Sequence, residues 1–283
     1  MRKLFGIVSA IIALTLALAA CGSGSSGSGS GSGSGDGGTS SASDVLKVGA
    51  SPVPHAEILK FVKDKLAAKE GLNLQIVEFT DYVQPNVQLD DGQLDANFFQ
   101  HKPYMDDFNA SKGTKLTFLQ PVHLEPLGLY SKKITSLGAL GSNATIALPN
   151  DATNLGRALK LLADNGVITL KEGAGTAATE RDVTGNPKNL KFQPLEAAQL
   201  PRSLDDVDAA VINGNYALEA GLTPAENALV LEKAENNPYA NGLVVAAGKE
   251  KDPRVVKLAK LLAGPEVKQF IEQQYKGAVI PAS

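Results

Sequence analysis

Residues 46–79, LKVGASPVPHAEILKFVKDKLAAKEGLNLQIVEF, contain the pattern that decides the fold class. LKVGA (46–50) and LQIVEF (74–79) are short apolar runs of the length expected for β-strands. Between them, Pro54 is placed to start a helix, apolar residues recur at helical spacing, and Gly71 is placed to end it. A strand, a helix and a second strand in this order predict an α/β fold.

The alternation of strands and helices continues to the C-terminus. Four more apolar runs have strand length, and helical patterns lie between several of them. They are KLTFL (115–119), ATIAL (144–148), DAAVI (208–212) and GLVVA (242–246). Two helical segments, Pro253 to Ala263 and Pro265 to Tyr275, follow, each with a proline near its start. Nothing repeats at a fixed period, which argues against a solenoid.

The first residues have the layout of a secretory signal peptide. Arg2 and Lys3 precede a run of apolar and small residues, 4–20, at the short limit for a membrane-spanning helix. We expect residues 1–20 to be removed. Cys21 comes next and is the only cysteine, so no internal disulfide is possible. Its position after Leu-Ala-Ala resembles the lipobox of bacterial lipoproteins, in which this cysteine is lipidated; the alternative is an ordinary cleavage site beside an incidental thiol.

Residues 21–43 are the cysteine and a linker of almost pure Gly and Ser. This composition predicts a flexible coil with a mean reach of roughly 25 Å. The body that follows, 44–283, is long enough for one large domain or two lobes. Without Arg2 and Lys3 the formal net charge changes from −3 to −5, and the body has no basic run. Nucleic acid and anionic lipid headgroups are therefore not expected as partners.

Sequence signatures of enzymes are absent from the chain. There is neither a nucleophile elbow nor a phosphate loop, and GAGTAA (173–178) indicates a Gly-rich turn into a helix rather than a dinucleotide motif. The three histidines, His55, His101 and His123, are candidate metal ligands by residue type. None lies three or four residues from another, so no pair is set on one helix face, and neither a metal site nor a cofactor is predicted.

The stretch DANFFQHKPY (95–104) concentrates aromatic and amide side chains in a chain that is only 5% aromatic and has no tryptophan. A buried strand explains the two phenylalanines but gives no reason for Gln100, His101 and Lys102 directly behind them. A ligand pocket uses all of these residue types, because rings provide apolar walls and polar groups fix the orientation of the ligand. The stretch therefore predicts a pocket for a small molecule.

Arg157 is a second candidate for ligand binding. In LPNDATNLGRALKLLADNG (148–166) the predicted helix begins after Pro149, and Arg157 falls within or just after its first turn. A cation there opposes the helix dipole by about 0.3–1 kcal/mol, so an anion is expected to compensate it. Arg157 with a bidentate fork, and the free N–H groups of the same turn, could hold a carboxylate. The alternative is a surface ion pair with Asp151 or Glu180.

Three asparagines stand next to predicted strands. Asn213 and Asn215 follow DAAVI (208–212) directly, where open α/β sheets bind ligands, and Asn241 precedes GLVVA (242–246). An amide can accept from an ammonium group and donate to a carboxylate, so these residues suit a zwitterion. Turn formation is the alternative for each of them.

Six blocks of the body, in the same order along the chain, match the sequence pattern of one known family. They are DYVQPN (81–86), DANFFQHKPY (95–104), EPLGLYSKKI (125–134), LPNDATNLGRAL (148–159), INGNYA (212–217) and NPYAN (237–241). In these blocks the chain resembles the methionine-binding lipoproteins of bacterial ABC importers. The resemblance implies a two-lobed α/β fold of the periplasmic-binding-protein type, with the ligand in the cleft between the lobes. It assigns 44–130 and 243–283 to lobe 1 and 131–242 to lobe 2, with crossings near Tyr130 and Asn241.

The resemblance also implies a role for each candidate residue. An apolar slot for the ligand side chain would be lined by Tyr82, Phe99, His101 and Tyr104. From the other lobe, Arg157 would hold the ligand carboxylate. Asn241 would bind the amino-acid head group, and Asn213 would assist it.

The implied function is that of a monomeric, lipid-anchored receptor on the extracytoplasmic face of the membrane, without catalytic activity. It would capture methionine and deliver it to a permease with its ATPase. A thioether gains about 0.3–1.5 kcal/mol per contact with an aromatic ring, which suits methionine. Three alternatives stay open: a ligand such as D-methionine or a methionine-containing dipeptide, a metal-binding receptor, and a hydrolase that uses His101 with an acidic partner.

Overall fold

The computed structural model describes residues 44–282, which form two large β-sheets and the helices packed on them. The predicted signal peptide, Cys21 and the linker lie outside the described residues. The strands are β1 (Val45–Ala50), β2 (Asn73–Glu78), β3 (Ala96–His101), β4 (Leu116–Leu124), β5 (Gly128–Tyr130), β6 (Thr145–Pro149), β7 (Thr169–Leu170), β8 (Val183–Gly185), β9 (Lys191–Leu195), β10 (Ala209–Ile212), β11 (Ala228–Leu231), β12 (Asn241–Ala246) and β13 (Ile280–Pro281). The α-helices are α1 (Glu57–Lys65), α2 (Gln84–Asp90), α3 (Lys102–Lys112), α4 (Ala152–Asp164), α5 (Leu200–Ser203), α6 (Gly214–Glu219), α7 (Pro224–Asn227), α8 (Pro253–Leu262) and α9 (Pro265–Tyr275). Within 44–282, no helix combines the length and the apolar composition that crossing a bilayer requires.

The first sheet has six strands in the order β13-β4-β12-β3-β1-β2, and the second has five in the order β11-β5-β10-β6-β9. In the first sheet β1 pairs in parallel with β2 and β3, whereas β12 is antiparallel to both β3 and β4. In the second sheet β6 pairs in parallel with β9 and β10. The predicted α/β class is confirmed, and all six strands predicted from apolar runs are present as β1, β2, β4, β6, β10 and β12.

The segment between β1 and β2 starts and ends its helical part near the proline and the glycine that predicted these positions. The helix predicted from Pro54 begins with a π-helical turn, Pro52–Ala56, in which Val53 keeps an extended backbone (φ −127°, ψ 135°), and it continues as α1, whose apolar face is buried against the first sheet. A 3-10 turn over Ala67–Glu70 then ends at Gly71, whose φ of 59° lies in the left-handed region that glycine adopts without steric cost. The chain can therefore return at once into β2 beside β1.

Each sheet buries apolar side chains on both faces. In the first sheet, α1, α8 and α9 cover one face, and α2 and α3 cover the other. Alternation along β3 sends Phe98 to the first of these cores and Phe99 to the second. In the second sheet, α4 covers one face, and α5 and α6 cover the other. Two lobes with separate cores result, each built from a sheet of mixed parallel and antiparallel strands with helices packed on both of its faces.

The stretch DANFFQHKPY is a buried strand as well as part of a cavity wall, so the contrast drawn between these two interpretations was wrong. All six residues of β3 are buried. Gln100 is accommodated there because Asn86 Nδ2 donates to its Oε1 at 2.9 Å and its own Nε2 donates to Asn86 Oδ1 at 2.6 Å. Asn97 joins the same cluster by donating to Asn86 Oδ1 at 2.8 Å. Buried amides that satisfy one another in this way are stable inside a sheet-and-helix core.

The chain passes between the sheets twice. It leaves β4 at Leu124 and enters β5 at Gly128, and it returns between Leu231 and Asn241. The sequence predicted the first passage near Tyr130. In the structure this passage comes before Tyr130, because Tyr130 already pairs with Ala210 in the second sheet. The exact ranges of the two lobes stay a prediction.

Candidate functional site

One cavity is lined by residues from both lobes and contains about 340 Å³ of space between atoms. All seven of the site residues predicted from the sequence line it: Tyr82, Phe99, His101, Tyr104, Arg157, Asn213 and Asn241. Five others complete the lining: Gln100, Glu125, Asn154, Gly214 and Asn215. The cavity lies beyond the carboxyl ends of β3 and β10, where open α/β sheets place their ligands. Such a position favours a small molecule as the occupant.

Three aromatic rings form an apolar wall on the side of the first sheet. The centroids of the Tyr82, Phe99 and Tyr104 rings are 5.8 to 6.1 Å apart, within the range of aromatic contacts. Tyr104 Oη donates to the backbone oxygen of Tyr82 at 3.0 Å, and Tyr82 Oη donates to Asn215 Oδ1 in the other lobe. These hydrogen bonds hold the rings in place, so the wall has a fixed shape.

His101 is an uncharged residue that connects the two lobes. Its Nδ1 accepts from the backbone N–H of Tyr104 at 3.1 Å, so the ring proton is on Nε2, which lies 3.3 Å from Asn154 Oδ1. Burial, helped by the charge of Arg157, lowers the pKa of His101 to about 3. Because both ring nitrogens are engaged by amides, the acidic partner that the hydrolase alternative needs is not found in the described part of the chain.

Arg157 is buried in α4 and fully engaged on one edge of its guanidinium group. Its Nε donates to Glu232 Oε1 at 2.8 Å, and its Nη2 donates to Glu232 Oε2 and to the backbone oxygen of Glu125 at 3.0 Å. The guanidinium carbon lies 4.3 Å from the centroid of the Tyr239 ring, which is a cation–π contact. The position and charge of Arg157 are therefore set before any ligand binds.

Arg157 has a compensating anion within the chain, and it is Glu232 rather than Asp151 or Glu180, the two residues named as the alternative to a ligand carboxylate. Asp151 caps α4 by accepting the backbone N–H of Asn154 at 2.9 Å, and neither Asp151 nor Glu180 pairs with the arginine. Glu232 occupies the Nε–Nη2 edge, so a ligand carboxylate cannot use that edge as a fork. Within residues 44–282, Nη1 is the guanidinium nitrogen that makes no hydrogen bond.

Asn213 and Asn215 each present one polar atom that has no partner among the described residues. Asn213 Nδ2 donates to Asn154 Oδ1 at 3.0 Å, which leaves its buried Oδ1 without a donor. Asn215 Oδ1 accepts from Tyr82 Oη, which leaves its buried Nδ2 without an acceptor. A buried polar atom without a partner costs about 1–3 kcal/mol. Both residues line the cavity, so a ligand with one donor and one acceptor is their natural partner.

Glu125 places a carboxyl group in the same cavity. It follows β4 and is buried, with its Oε1 2.7 Å from His123 Nε2. Burial raises the pKa of Glu125, and the nearby His55 and Arg157 oppose this rise. Gly214 lies directly against it, since a Cβ at position 214 would come within 2.6 Å of Glu125 Cβ. The absence of a side chain at Gly214 thus lets α6 approach the acidic group.

Asn241 is the first residue of β12 and is paired in register with His101 of β3 and His123 of β4. It therefore lies on a central strand of the first sheet, at the end of that strand that lines the cavity. A small change in the path of β12 would move its amide relative to both neighbouring strands.

Sequence reasoning missed three residues of the site or its support. Glu125 and Asn154 lie inside the quoted blocks EPLGLYSKKI and LPNDATNLGRAL, so their polar type next to an apolar run was an available signal. Glu232 is 75 residues from Arg157 in sequence and lies in no such block, so nothing local pointed to their pairing.

Comparisons with known proteins agree on one family. The model of the NlpA lipoprotein family matches residues 46–283. The D-methionine-binding lipoprotein MetQ of Escherichia coli K12 is 41% identical over 237 residues, which cover 83% of this chain and 87% of MetQ. The membrane lipoprotein TpN32 of Treponema pallidum is 41% identical over 245 residues, which cover 86% of this chain and 91% of TpN32. The solved structure of a nutrient binding protein from Burkholderia cenocepacia, bound to methionine, is 48% identical with a TM-score of 0.81, covering 84% of this chain and all of that one.

Proposed function

This chain belongs to the NlpA lipoprotein family, and we propose that it is the extracytoplasmic substrate-binding protein that captures methionine for a bacterial ABC importer. It is a binding protein rather than an enzyme, in keeping with the family. The observation that carries the proposal is the cavity itself, in which an aromatic wall faces a buried arginine and the unpartnered amide atoms of Asn213 and Asn215.

The two sides of the cavity match the two ends of methionine. The rings of Tyr82, Phe99 and Tyr104 receive the thioether, which gains about 0.3–1.5 kcal/mol from each ring contact. Arg157 Nη1 and Asn215 Nδ2 supply donors for the carboxylate. This assignment replaces the bidentate fork with a single guanidinium nitrogen and an amide.

The ammonium group of the ligand requires acceptors, and these lie on the same side of the cavity as its carboxylate. Asn213 Oδ1 is a buried acceptor without a donor, and Asn241 contributes the amide that follows from the family resemblance. Glu125 adds a carboxyl group to the cavity, which favours a cation nearby. A zwitterion is therefore the ligand class that satisfies all of these groups together.

The chirality of the ligand is a separate choice, and D-methionine is the second candidate because the relative from E. coli carries that name. A methionine-containing dipeptide fits less well. The Arg157–Glu232 pair lies between the cavity and a surface depression that Arg157, Glu232 and Tyr239 also line. A longer ligand extending from its carboxyl end would have to break that pair.

Calorimetry with the purified protein tests the proposed ligand. After unfolding and refolding to remove any co-purified molecule, we expect L-methionine to bind at one equivalent. L-leucine should bind about tenfold more weakly, because misfit of about one methylene in an apolar slot costs about 1–3 kcal/mol. Mass spectrometry of molecules released by the first unfolding gives an independent readout. If neither enantiomer of methionine binds, methionine is not the ligand; a stronger response to D-methionine selects the second candidate.

The site of attachment to the membrane is Cys21, which lies outside the described residues. A lipid on Cys21, followed by the Gly/Ser-rich segment, would keep the body close to the permease and its ATPase and raise their effective concentration. We propose that the protein acts there as a monomer, because one chain contains every residue assigned to the cavity.

Replacing Cys21 with serine should release most of the protein from the membrane fraction without changing its affinity for methionine. A serine hydroxyl cannot form the thioether to a diacylglyceryl group, whereas the cavity is built entirely from the body. Fractionation of cells followed by immunoblotting measures the release, and calorimetry measures the affinity. Retention of the serine variant in the membrane fraction would show that attachment does not depend on this residue.

A further inference from the structure

A cluster of three buried polar residues lies next to the amino-acid cavity. It consists of His55, His123 and Glu125, and we call it the His-Glu cluster. His55 lies in the π-helical turn after β1, His123 near the end of β4, and Glu125 directly after β4. Both histidines are 0% exposed and Glu125 is 4% exposed. His55 is far from His123 and Glu125 in sequence, which is why spacing alone gave no sign that the two histidines and the carboxylate meet.

The cluster is compact enough for one ion. One candidate ligand atom from each of the three residues lies within 4.8 Å of the other two. His55 Nε2 is 3.2 Å from Glu125 Oε1, and His123 Nε2 is 2.7 Å from the same oxygen. Ligands at about 2.05 Å from a tetrahedral Zn²⁺ are about 3.3 Å apart. The first of these separations already has that length, the second would need to widen by about 0.6 Å, and the two histidine nitrogens, which lie within 4.8 Å of each other, would need to move closer together.

The hydrogen bonds of the cluster are incomplete. A neutral imidazole has one donor and one acceptor nitrogen. Among the described residues neither nitrogen of His55 makes a hydrogen bond of good geometry, although the side chain of Asn241 lies close to this ring, and His123 Nδ1 also makes none. Although His55 Nε2 is close to Glu125 Oε1, their geometry does not form a hydrogen bond. Buried polar groups are nearly always paired, so a fully buried histidine without a partner in the protein leaves room for an ion or a water molecule beside it.

We propose that the His-Glu cluster binds one first-row divalent transition-metal ion, with Zn²⁺ as the best fit. Two imidazole nitrogens and one carboxylate oxygen are a ligand set found in zinc sites that keep an open fourth position. Imidazole ligands select against Ca²⁺ and Mg²⁺, which prefer oxygen ligands. The site is additional to the amino-acid cavity and does not make the protein a metal receptor.

The cluster is adjacent to the cavity. Glu125 belongs to both, since its carboxyl group lines the cavity while its Oε1 faces the two histidines. Phe98 packs edge-on against both imidazole rings, with centroids at 4.8 and 5.3 Å. The bound ion would therefore stabilise the junction between the turn after β1 and the end of β4.

The test measures zinc binding by the purified full chain in the absence of methionine. Alkylation with iodoacetamide first removes any contribution from the thiol of Cys21, and a chelator followed by desalting removes existing metal. We expect calorimetry and elemental analysis to give one Zn²⁺ per chain. X-ray absorption at the zinc edge of the unmodified sequence should show two imidazole nitrogens at about 2.0–2.1 Å.

Variants locate the ion. His55→Gln and His123→Gln should each weaken zinc binding by at least about 100-fold, since loss of a group that merely supports a metal ligand already costs about 10–100-fold. His101→Gln is the matched control, because His101 is also buried but lies outside the cluster, and its zinc affinity should stay within threefold. Circular dichroism checks that each variant folds.

Two results would overturn the proposal. One is the absence of stoichiometric zinc binding by the unmodified sequence, which would leave the cluster as a hydrogen-bonded group only. The other is zinc binding that persists in both folded cluster variants. Should either variant fail to fold, the absorption spectrum of the unmodified sequence decides instead, because a zinc ion without two imidazole ligands is not in this cluster.

Discussion

Arg157→Ala is expected to weaken methionine binding by about 100-fold. Arg157 is 4% exposed, and Nη1 is the donor that remains for a ligand carboxylate after Glu232 and the backbone of Glu125 have taken the other positions. Truncating one partner of a buried, hydrogen-bonded charge pair costs about 2–5 kcal/mol, and each 1.4 kcal/mol corresponds to about tenfold in affinity. Calorimetry of the folded variant with L-methionine measures the loss.

This substitution also leaves the carboxylate of Glu232 without its partner. Glu232 is 15% exposed in its pair with Arg157, and without the arginine it would have no positive partner. The double variant Arg157→Ala/Glu232→Ala removes this effect, and we expect its affinity to remain as low as that of the single variant. Recovery of affinity in the double variant would mean that the stranded Glu232, rather than the missing guanidinium, had weakened binding.

Arg202→Ala is the matched control for loss of an arginine. Arg202 is exposed at the end of α5 and does not line the cavity, so its replacement should leave the affinity within threefold. Affinity of Arg157→Ala within the same threefold limit would exclude Arg157 as a ligand-binding residue. Arg157→Lys should fall between the two, because lysine keeps the charge but not the planar set of donors.

Strands and helices could be predicted wherever a single local signal decided them. Six strands followed from apolar runs, and Gly71 ended the first helical segment through its left-handed backbone. β3 was not recognised because its Gln100 looked out of place in a buried strand. The amides that accommodate it, from Asn86 and Asn97, could be matched to it only once the chain had folded.

In the candidate site, single residues could be predicted from their type, whereas contacts between distant segments could not. Residue type indicated Arg157 and the asparagines, since a cation near a helix start and amides at strand ends suit a zwitterion. The alternative partners named for Arg157 were Asp151 and Glu180, which are close to it in sequence, whereas Glu232 directly follows the distant strand β11. The His-Glu cluster was missed for a related reason: a search for histidines three or four residues apart detects helical sites, whereas His55 comes from the turn after β1 and His123 from the end of β4.

Gly242→Ala is expected to lower the free energy of unfolding by about 3 kcal/mol or more. Gly242 lies in β12 at the centre of the first sheet, opposite Gln100 of β3 and Pro121 of β4, with a register shift on either side. A Cβ there would overlap the backbone oxygen of Gln120 and the ring of Phe118. Overpacking of this kind costs about 1–3 kcal/mol and occasionally more, and a central carbonyl oxygen cannot move aside as a flexible side chain can.

The sign of this prediction is what makes it informative, because Gly→Ala ordinarily stabilises a protein by about 0.4–1 kcal/mol through the unfolded chain. Gly141→Ala provides that baseline: Gly141 is exposed, does not have a positive φ, and has no atom within 4 Å of the added Cβ. For a body of this size, a loss of 3 kcal/mol corresponds to a decrease in Tm of about 6–12 °C, which thermal unfolding without ligand measures directly.

Because Asn241 immediately precedes the overlap, the folded fraction of Gly242→Ala should also bind methionine more weakly. Equal Tm values for the two variants would mean that β4 yields to the added methyl group, and that the packing of β12 does not hold Asn241 in the cavity.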